Sequence, residues 1–349
     1  MAYKVDDKAY AYEAEKLAAI RTAKPWMENP LHFKKARVST VACMKMMNHA
    51  LYGVERGRKT SATGAPIEIM GLCVGHMDPE DNTAFVITDA FPLPVEGSEY
   101  NVVAESEEFD RCQSNLLDFF GDSRKDALLG WYHSHPFDVK KHSNCFFSMT
   151  DVIQQRSWQS ITDHSDFSFV GFVIDPLRSL AKGRPDIGAF RTYPGGYNRG
   201  KKIAPDGVKH KDEASIVERW GNAYLSYQSI PVELFSSSLA DTLLSALSRD
   251  FLWRRALSAA PGRDAEAVES TAGRLQKVAG DLSSAARSMQ HVGRAHTALA
   301  GVDGAVQNPH LAEASATSAQ LSMEQARSQS GQLVKHALFN ASVRGGVSG

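Results

Sequence analysis

Five short apolar runs constrain the fold of this chain more than any other feature: IEIMGLCVG (67–75), AFVITDAFPLP (84–94), LLGWYHSH (128–135), FSFVGFVID (167–175) and DIGAFRTY (186–193). Each is rich in β-branched and aromatic residues and bounded by Gly, Pro, Asn or Asp, so each reads as a strand. Amphipathic segments lie beside them. Residues 37–53 (RVSTVACMKMMNHALYG) carry apolar groups at helical spacing and close on Gly53, which predicts a helix capped there. A second helix is predicted from Ser148 to Gln159, and the charged segment 99–125 reads as loop plus helix. Strands mixed with helices over this span predict an α/β domain.

The flanking sequence predicts further parts. Residues 1–30 form a polar, helix-leaning N-terminal extension before the domain at 31–195. Residues 196–215 are a basic linker loop with Lys201, Lys202, Lys209 and Lys211, which steers an acidic partner or is simply solvated. A strand–helix extension follows at 216–260. From 261 to 349 the chain turns Ala/Ser-rich, with Val268, Leu275, Val278, Leu282 and Met289 on one helical stripe and Leu311, Leu321 and Leu333 on a looser second one. Gly301 to Pro309 separates the two stripes, which predicts a helical hairpin. So many small residues make a thin core, so the hairpin is expected to pack into a larger bundle. The terminal RGGVSG is expected to fray.

Composition excludes some classes. With 39 basic and 40 acidic side chains the net charge is −1, which argues against a nucleic-acid partner. The four cysteines include no C-x-x-C pair, as expected of reduced thiols in the cytoplasm and nucleus. The charged N-terminus has no apolar signal-peptide core, and no run approaches the ~18–20 apolar residues of a membrane span. No membrane partner is expected.

The chemistry concentrates at His133-Ser134-His135-Pro136, at the end of a predicted strand. Alternate strand residues share a face, so two imidazoles converge beside a chain reversal. Zinc favours imidazole nitrogen and, in catalytic sites, takes three protein ligands plus water, whose pKa it lowers to ~7. Asp151, three residues beyond Ser148, is the candidate third ligand. Glu68, a carboxylate in an apolar run, is the candidate general base, since burying it is costly unless it is used. Each piece also has a bland reading: histidines bound to backbone, a capping box between Ser148 and Asp151, a solvent-facing Glu68. Taken together the pieces describe a metallohydrolase. H-E-x-x-H and P-C-x-x-C motifs are absent, which removes two other zinc-enzyme classes.

At these residues the chain resembles the JAMM (MPN-plus) metalloproteases, and among them the catalytic subunits of signalosome complexes. Beyond Glu68, H-x-H and S-x-x-D, the likeness extends through AAIRTAKPWMENPLHFKKARVST, PIEIMGLCVG, GWYHSHP, VGFVIDPLRS, GAFRTYPGGY and LFSSSLADTLLSAL to the terminal KHALFN. The resemblance implies an MPN fold, a curved mixed β-sheet flanked by helices and followed by a C-terminal helical region. It implies one Zn2+ on His133, His135 and Asp151, Glu68 as general base and Ser148 as oxyanion donor. The implied reaction removes a Nedd/Rub-type modifier from cullin lysines. The implied partners are modified cullins and other signalosome subunits met through the C-terminal helices, in particular another MPN subunit. The acidic segment 99–110 corresponds to a family loop that can cover the metal at rest, which would make Asp110 a resting-state ligand; the alternative is a solvated acidic helix start. The alternatives are a proteasome-lid-type deubiquitinase and a non-catalytic MPN scaffold.

One departure from the family pattern stands out. Fifteen residues separate His135 from Asp151, where that pattern has ten. The extra stretch lies within PFDVKKHSNCFF and brings Asp138 and His142 as competing ligands. Cys145-Phe146-Phe147-Ser148-x-x-Asp151 restores the family register and keeps Asp151 as the ligand.

Overall fold

The computed structural model describes residues 3–61, 63–93, 114, 126–165, 167–249, 265–296 and 308–341. The acidic loop at 99–110, with Asp110, and the terminal RGGVSG lie outside the described residues. The chain divides into two compact units, the second of them Leu243–Asn340.

The first unit is built on a nine-stranded mixed sheet of order β1-β9-β2-β4-β3-β5-β6-β7-β8. Its strands are β1 (Tyr3–Val5), β2 (Lys35–Ser39), β3 (Met70–Met77), β4 (Ala84–Pro92), β5 (Ala127–Ser134), β6 (Val170–Ile174), β7 (Ile187–Thr192), β8 (Tyr227–Ile230) and β9 (Val232–Ser236). The five predicted runs become β3 to β7. The segments read as flanking the domain also join its sheet: β1 comes from 1–30, and β8 and β9 from 216–260.

Both faces of the sheet are covered. Helices α1 (Ala14–Ala23) and α2 (Pro25–Glu28) precede β2, and α3 (Thr40–Thr60) follows it. Ala42, Met46 and Ala50 of α3, with Leu17 and Trp26, pack on Cys73, Phe85, Ile87, Tyr132 and Phe172. Helix α4 (Met149–His164) and helix α6 (Glu213–Trp220) cover the other face, where Val152, Ile216 and Trp220 meet Met70, Leu72, Trp131 and Val173. Trp131 is 1% exposed, and truncating so large a buried side chain costs about 3–5 kcal/mol.

Helix α3 does not end at Gly53 but runs on to Thr60. A Cβ on Gly53 would stand 2.6 Å from Ile69 Cγ2 and 2.8 Å from the Ile67 carbonyl, and one on Gly57 would stand 2.4 Å from the Ala65 carbonyl. Both glycines serve the close approach of residues 65–69 to the helix rather than its termination. Helix α5 (Pro176–Lys182) was not anticipated. It is short, opens on the Asp175 cap and Pro176, and closes on Gly183 in the left-handed conformation, φ 61°.

Strand β5, helix α4 and parallel neighbour β6 form a β-α-β unit. Such a unit places the end of its first strand beside the start of its helix, the usual position for ligand chemistry in α/β sheets. Two buried glutamines pin α4. Gln155 accepts from Trp131 Nε1 (2.7 Å) and donates to the Phe169 carbonyl, and Gln159 bonds the Thr192 backbone in both senses.

The second unit begins in α7 (Ser238–Arg249) and contains α8 (Ala265–His296) and α9 (Pro309–His336). Helices α8 and α9 pair through Arg274–Glu324 (2.7 Å) and Lys277–Glu313 (2.6 Å). Asn308 caps α9 and reaches the Ala285 carbonyl.

Candidate active site

Antiparallel pairing of β3 with β5 builds the first half of the site. The register sets Met70 opposite His133. It continues past the strand ends, since Ser134 N donates to the Ile69 carbonyl (3.1 Å) and Ser134 Oγ accepts from Ile69 N (3.1 Å). Glu68 therefore stands across from His135, on the same sheet face as both histidines. The sequence reading put Glu68 inside a strand from 67; β3 begins at Met70, and Glu68 lies on the extended lead-in, held by Ser134.

Helix α4 supplies the other half. Ser148 Oγ accepts from Asp151 N (3.2 Å), and Ser148 N donates to Asp151 Oδ2 (2.7 Å), a reciprocal capping box. The bland reading of these two residues is thus true, and it is also what aims the carboxylate. Asp151 Oδ1 lies 3.1 Å from His133 Nε2, Oδ2 lies 3.4 Å from His135 Nε2, and the two Nε2 atoms are 3.1 Å apart. All three residues are buried, and one ligand atom of each lies within 4.8 Å of the others.

The donor chemistry fits a cation. His135 Nδ1 is 2.9 Å from the Asn144 carbonyl, which can only accept, so Nδ1 carries the hydrogen and Nε2 presents its lone pair to the cluster. His133 stacks on Trp131 (4.5 Å, 11°), which orients its ring, and its buried Nδ1 has no hydrogen-bond partner among the described residues. Ligands about 2.0–2.1 Å from a tetrahedral zinc stand about 3.3 Å apart. The observed edges of 3.1–3.4 Å match that spacing. His133, His135 and Asp151 are the one such group among the described residues, and it contains neither Asp138 nor His142.

Electrostatics polarise the cluster. Burial opposes charge on Asp151, but the two imidazoles outweigh it and hold the carboxyl well below its usual range. Burial likewise opposes a charged His135, and Asp151, Glu68 and the Asn144 carbonyl raise it nonetheless. Burial dominates at Glu68 and raises its pKa, with His135 and His133 pulling the other way. A raised carboxylate pKa suits a group that must take up and return a proton near neutrality. A separate cavity of 330 Å³ is lined by Trp26, Asp163, Arg191 and Tyr193 among others and includes none of these groups. Asp163 and Arg191 already pair with each other there (2.8 Å).

Asn144, Asp175 and Gln155 were missed by sequence reasoning. The only signal was polar residues in otherwise apolar stretches, as in Asp175 after VGFVI.

Comparison with known proteins agrees with this geometry. The family model described as JAB1/Mov34/MPN/PAD-1 ubiquitin protease matches residues 31–164. COP9 signalosome complex subunit 5 of Aspergillus fumigatus is 37% identical over 255 residues, 73% of this chain and 69% of that protein. The Caenorhabditis elegans protein of the same name is 35% identical over 73% of this chain and 62% of its own length. COP9 signalosome complex subunit 5a of Arabidopsis thaliana is 31% identical over 96% of this chain and 86% of its own. An MPN sheet, a buried His-His-Asp group and relatives of this similarity together mean that the chain belongs to the COP9 signalosome subunit 5 family of JAB/MPN proteins.

Proposed function

We propose that this chain is a zinc-dependent isopeptidase that removes a Nedd/Rub-type modifier from cullin lysines as the catalytic subunit of a signalosome complex. The observation that carries the reading is the convergence of His133, His135 and Asp151 with Glu68 across from His135 on the same sheet face. A zinc ion held by His133, His135 and Asp151 would supply Lewis acidity toward the scissile carbonyl and the attacking water. Glu68 takes that water's proton on its carboxylate and returns it to the departing lysine amine. The Ser148 hydroxyl, which only accepts in the capping box, keeps its hydrogen free to donate to the oxyanion. His135, tied to Asn144, keeps one tautomer throughout the cycle.

Helices α8 and α9 are the proposed route into the complex, with another MPN subunit among the neighbours. Their outward Leu275 and Leu333 are 55% and 70% exposed. We propose a cytoplasmic and nuclear localisation; among the described residues Cys43, Cys73 and Cys145 are free thiols. In cells of the source organism, Glu68→Gln should cause modifier-linked cullins to accumulate. Accumulation of polyubiquitin instead would assign the chain to a proteasome-lid role, and no change in either would make it a scaffold.

A further inference from the structure

The stretch between His135 and Ser148 carries no regular secondary structure apart from bends, yet six consecutive carbonyls in it accept hydrogen bonds. Arg178 of α5 donates through Nη1 to Lys140 O (2.7 Å) and His142 O (3.2 Å), and through Nη2 to Lys141 O (3.3 Å). Arg219 of α6 donates through Nη1 to Ser143 O (2.8 Å) and Cys145 O (3.4 Å). The sixth carbonyl, Asn144 O, is the one that accepts from His135 Nδ1. Asp175 ties the arrangement together: one of its oxygens caps α5 at Arg178 N (2.9 Å) and the other accepts from Asn144 N (2.9 Å). Asn144 Nδ2 closes the loop on the Phe137 and Asp138 carbonyls.

From this geometry we infer that Arg178 and Arg219 are positioning residues that hold the lengthened loop in one conformation and, through Asn144, fix the His135 imidazole for metal binding. The inference rests on the metal reading given above. The loop begins at one ligand, His135, and ends at the helix turn that carries another, Asp151. Slack in it is therefore transmitted to the spacing of the ligands. A planar guanidinium has five donors in a fixed fork and can serve neighbouring carbonyls at once. A lysine keeps the charge but has no such fork. The carbonyls of Lys140, Lys141 and His142 that Arg178 holds lie within the stretch that contains the five extra residues, so the arginine ties down part of the lengthened loop.

The test uses the full chain and two readouts: zinc affinity, by competition with a chromophoric chelator, and the rate of tryptic cleavage after the exposed Lys140 and Lys141. Arg178→Gln should weaken zinc binding about tenfold, the lower end of what losing support behind a metal ligand costs. It should also speed cleavage at both lysines. Arg178 Nε also lies 3.2 Å from Asp186, poorly aligned for a hydrogen bond, so Arg178→Lys is made as well. It retains the ion pair and should fail to rescue either readout. Arg219→Gln, on a different helix, should reproduce both changes. Deleting residues 138–142 restores the shorter spacing and should abolish the effect of Arg178→Gln on zinc. Unchanged affinity and cleavage in both glutamine variants, or full rescue by Arg178→Lys, would overturn the inference. A wild-type chain that takes up no zinc would sink the metal reading itself, and the link to His135 with it.

Discussion

The two units of this molecule solve the burial problem in opposite ways. The sheet unit buries charged and polar groups and pairs them: Asp163 with Arg191, Lys45 with Asp89, Gln155 with Trp131, Asp151 with two histidines. The hairpin of α8 and α9 buries mostly small residues, Ala285 and Ala314, along its seam. It leaves Leu275, Leu282, Leu311, Met323 and Leu333 between 45% and 70% exposed. Its ion pairs, Arg274–Glu324 and Lys277–Glu313, lie at an exposed rim. A unit of the first kind partners many of its buried polar groups within itself. A unit of the second kind has spent little of its apolar surface, and what is left over is available to a partner.

The two units should differ most at the metal cluster. Asp151→Asn removes a ligand charge and should abolish zinc retention and lower isopeptidase activity by roughly a thousandfold or more, about 4 kcal/mol in the barrier. The same assay on a Leu333→Lys chain in isolation should show no loss. Next in size is Gly57→Ala. A Cβ there meets the Ala65 carbonyl at 2.4 Å and Ile67 N at 2.6 Å, so the 65–69 segment must move. We expect a loss of about 1–3 kcal/mol in urea unfolding, and lower activity at unchanged zinc content, because Glu68 rides on that segment.

These positions show what the sequence could and could not reveal. His133, His135 and Asp151 were legible because a strand period and a helix start translate directly into shared faces. Glu68 was legible as a costly charge, but its true setting was not, since the β3 boundary depends on Ser134 reaching across to Ile69 N. Gly53 read as a helix stop because local pattern cannot distinguish a terminating glycine from one that lets another chain segment pass close by. Strand β1, three residues long, has no period to detect. Arg178 and Arg219 were invisible because their partners are backbone carbonyls about forty and seventy residues away in sequence.

A smaller effect tests the sheet unit's buried polar pairing through pH. Burial lowers the pKa of His49 to about 4, while its Nδ1 lies 3.0 Å from the Tyr132 hydroxyl. An unfolded histidine titrates near 6.5. As pH falls below that value the unfolded chain takes up a proton that the folded chain refuses until about pH 4, so stability is lost on acidification. The expected loss between pH 7 and 5 is about 2 kcal/mol from this group. In His49→Gln this component should vanish from paired denaturation curves. The smallest change is predicted in the hairpin: Arg274→Ala, breaking an exposed pair, should cost no more than about 1 kcal/mol. A larger loss there would mean the hairpin is stabilised more like the sheet unit than its burial indicates.

If His133, His135 and Asp151 form one zinc site, the purified protein should carry the metal. The most direct test is the zinc content of the purified full chain after dialysis against metal-free buffer, measured by elemental analysis beside His135→Ala. One zinc per wild-type chain, and none in the variant, is the predicted result. A wild-type chain without zinc, or a variant that keeps a full equivalent, would contradict the account.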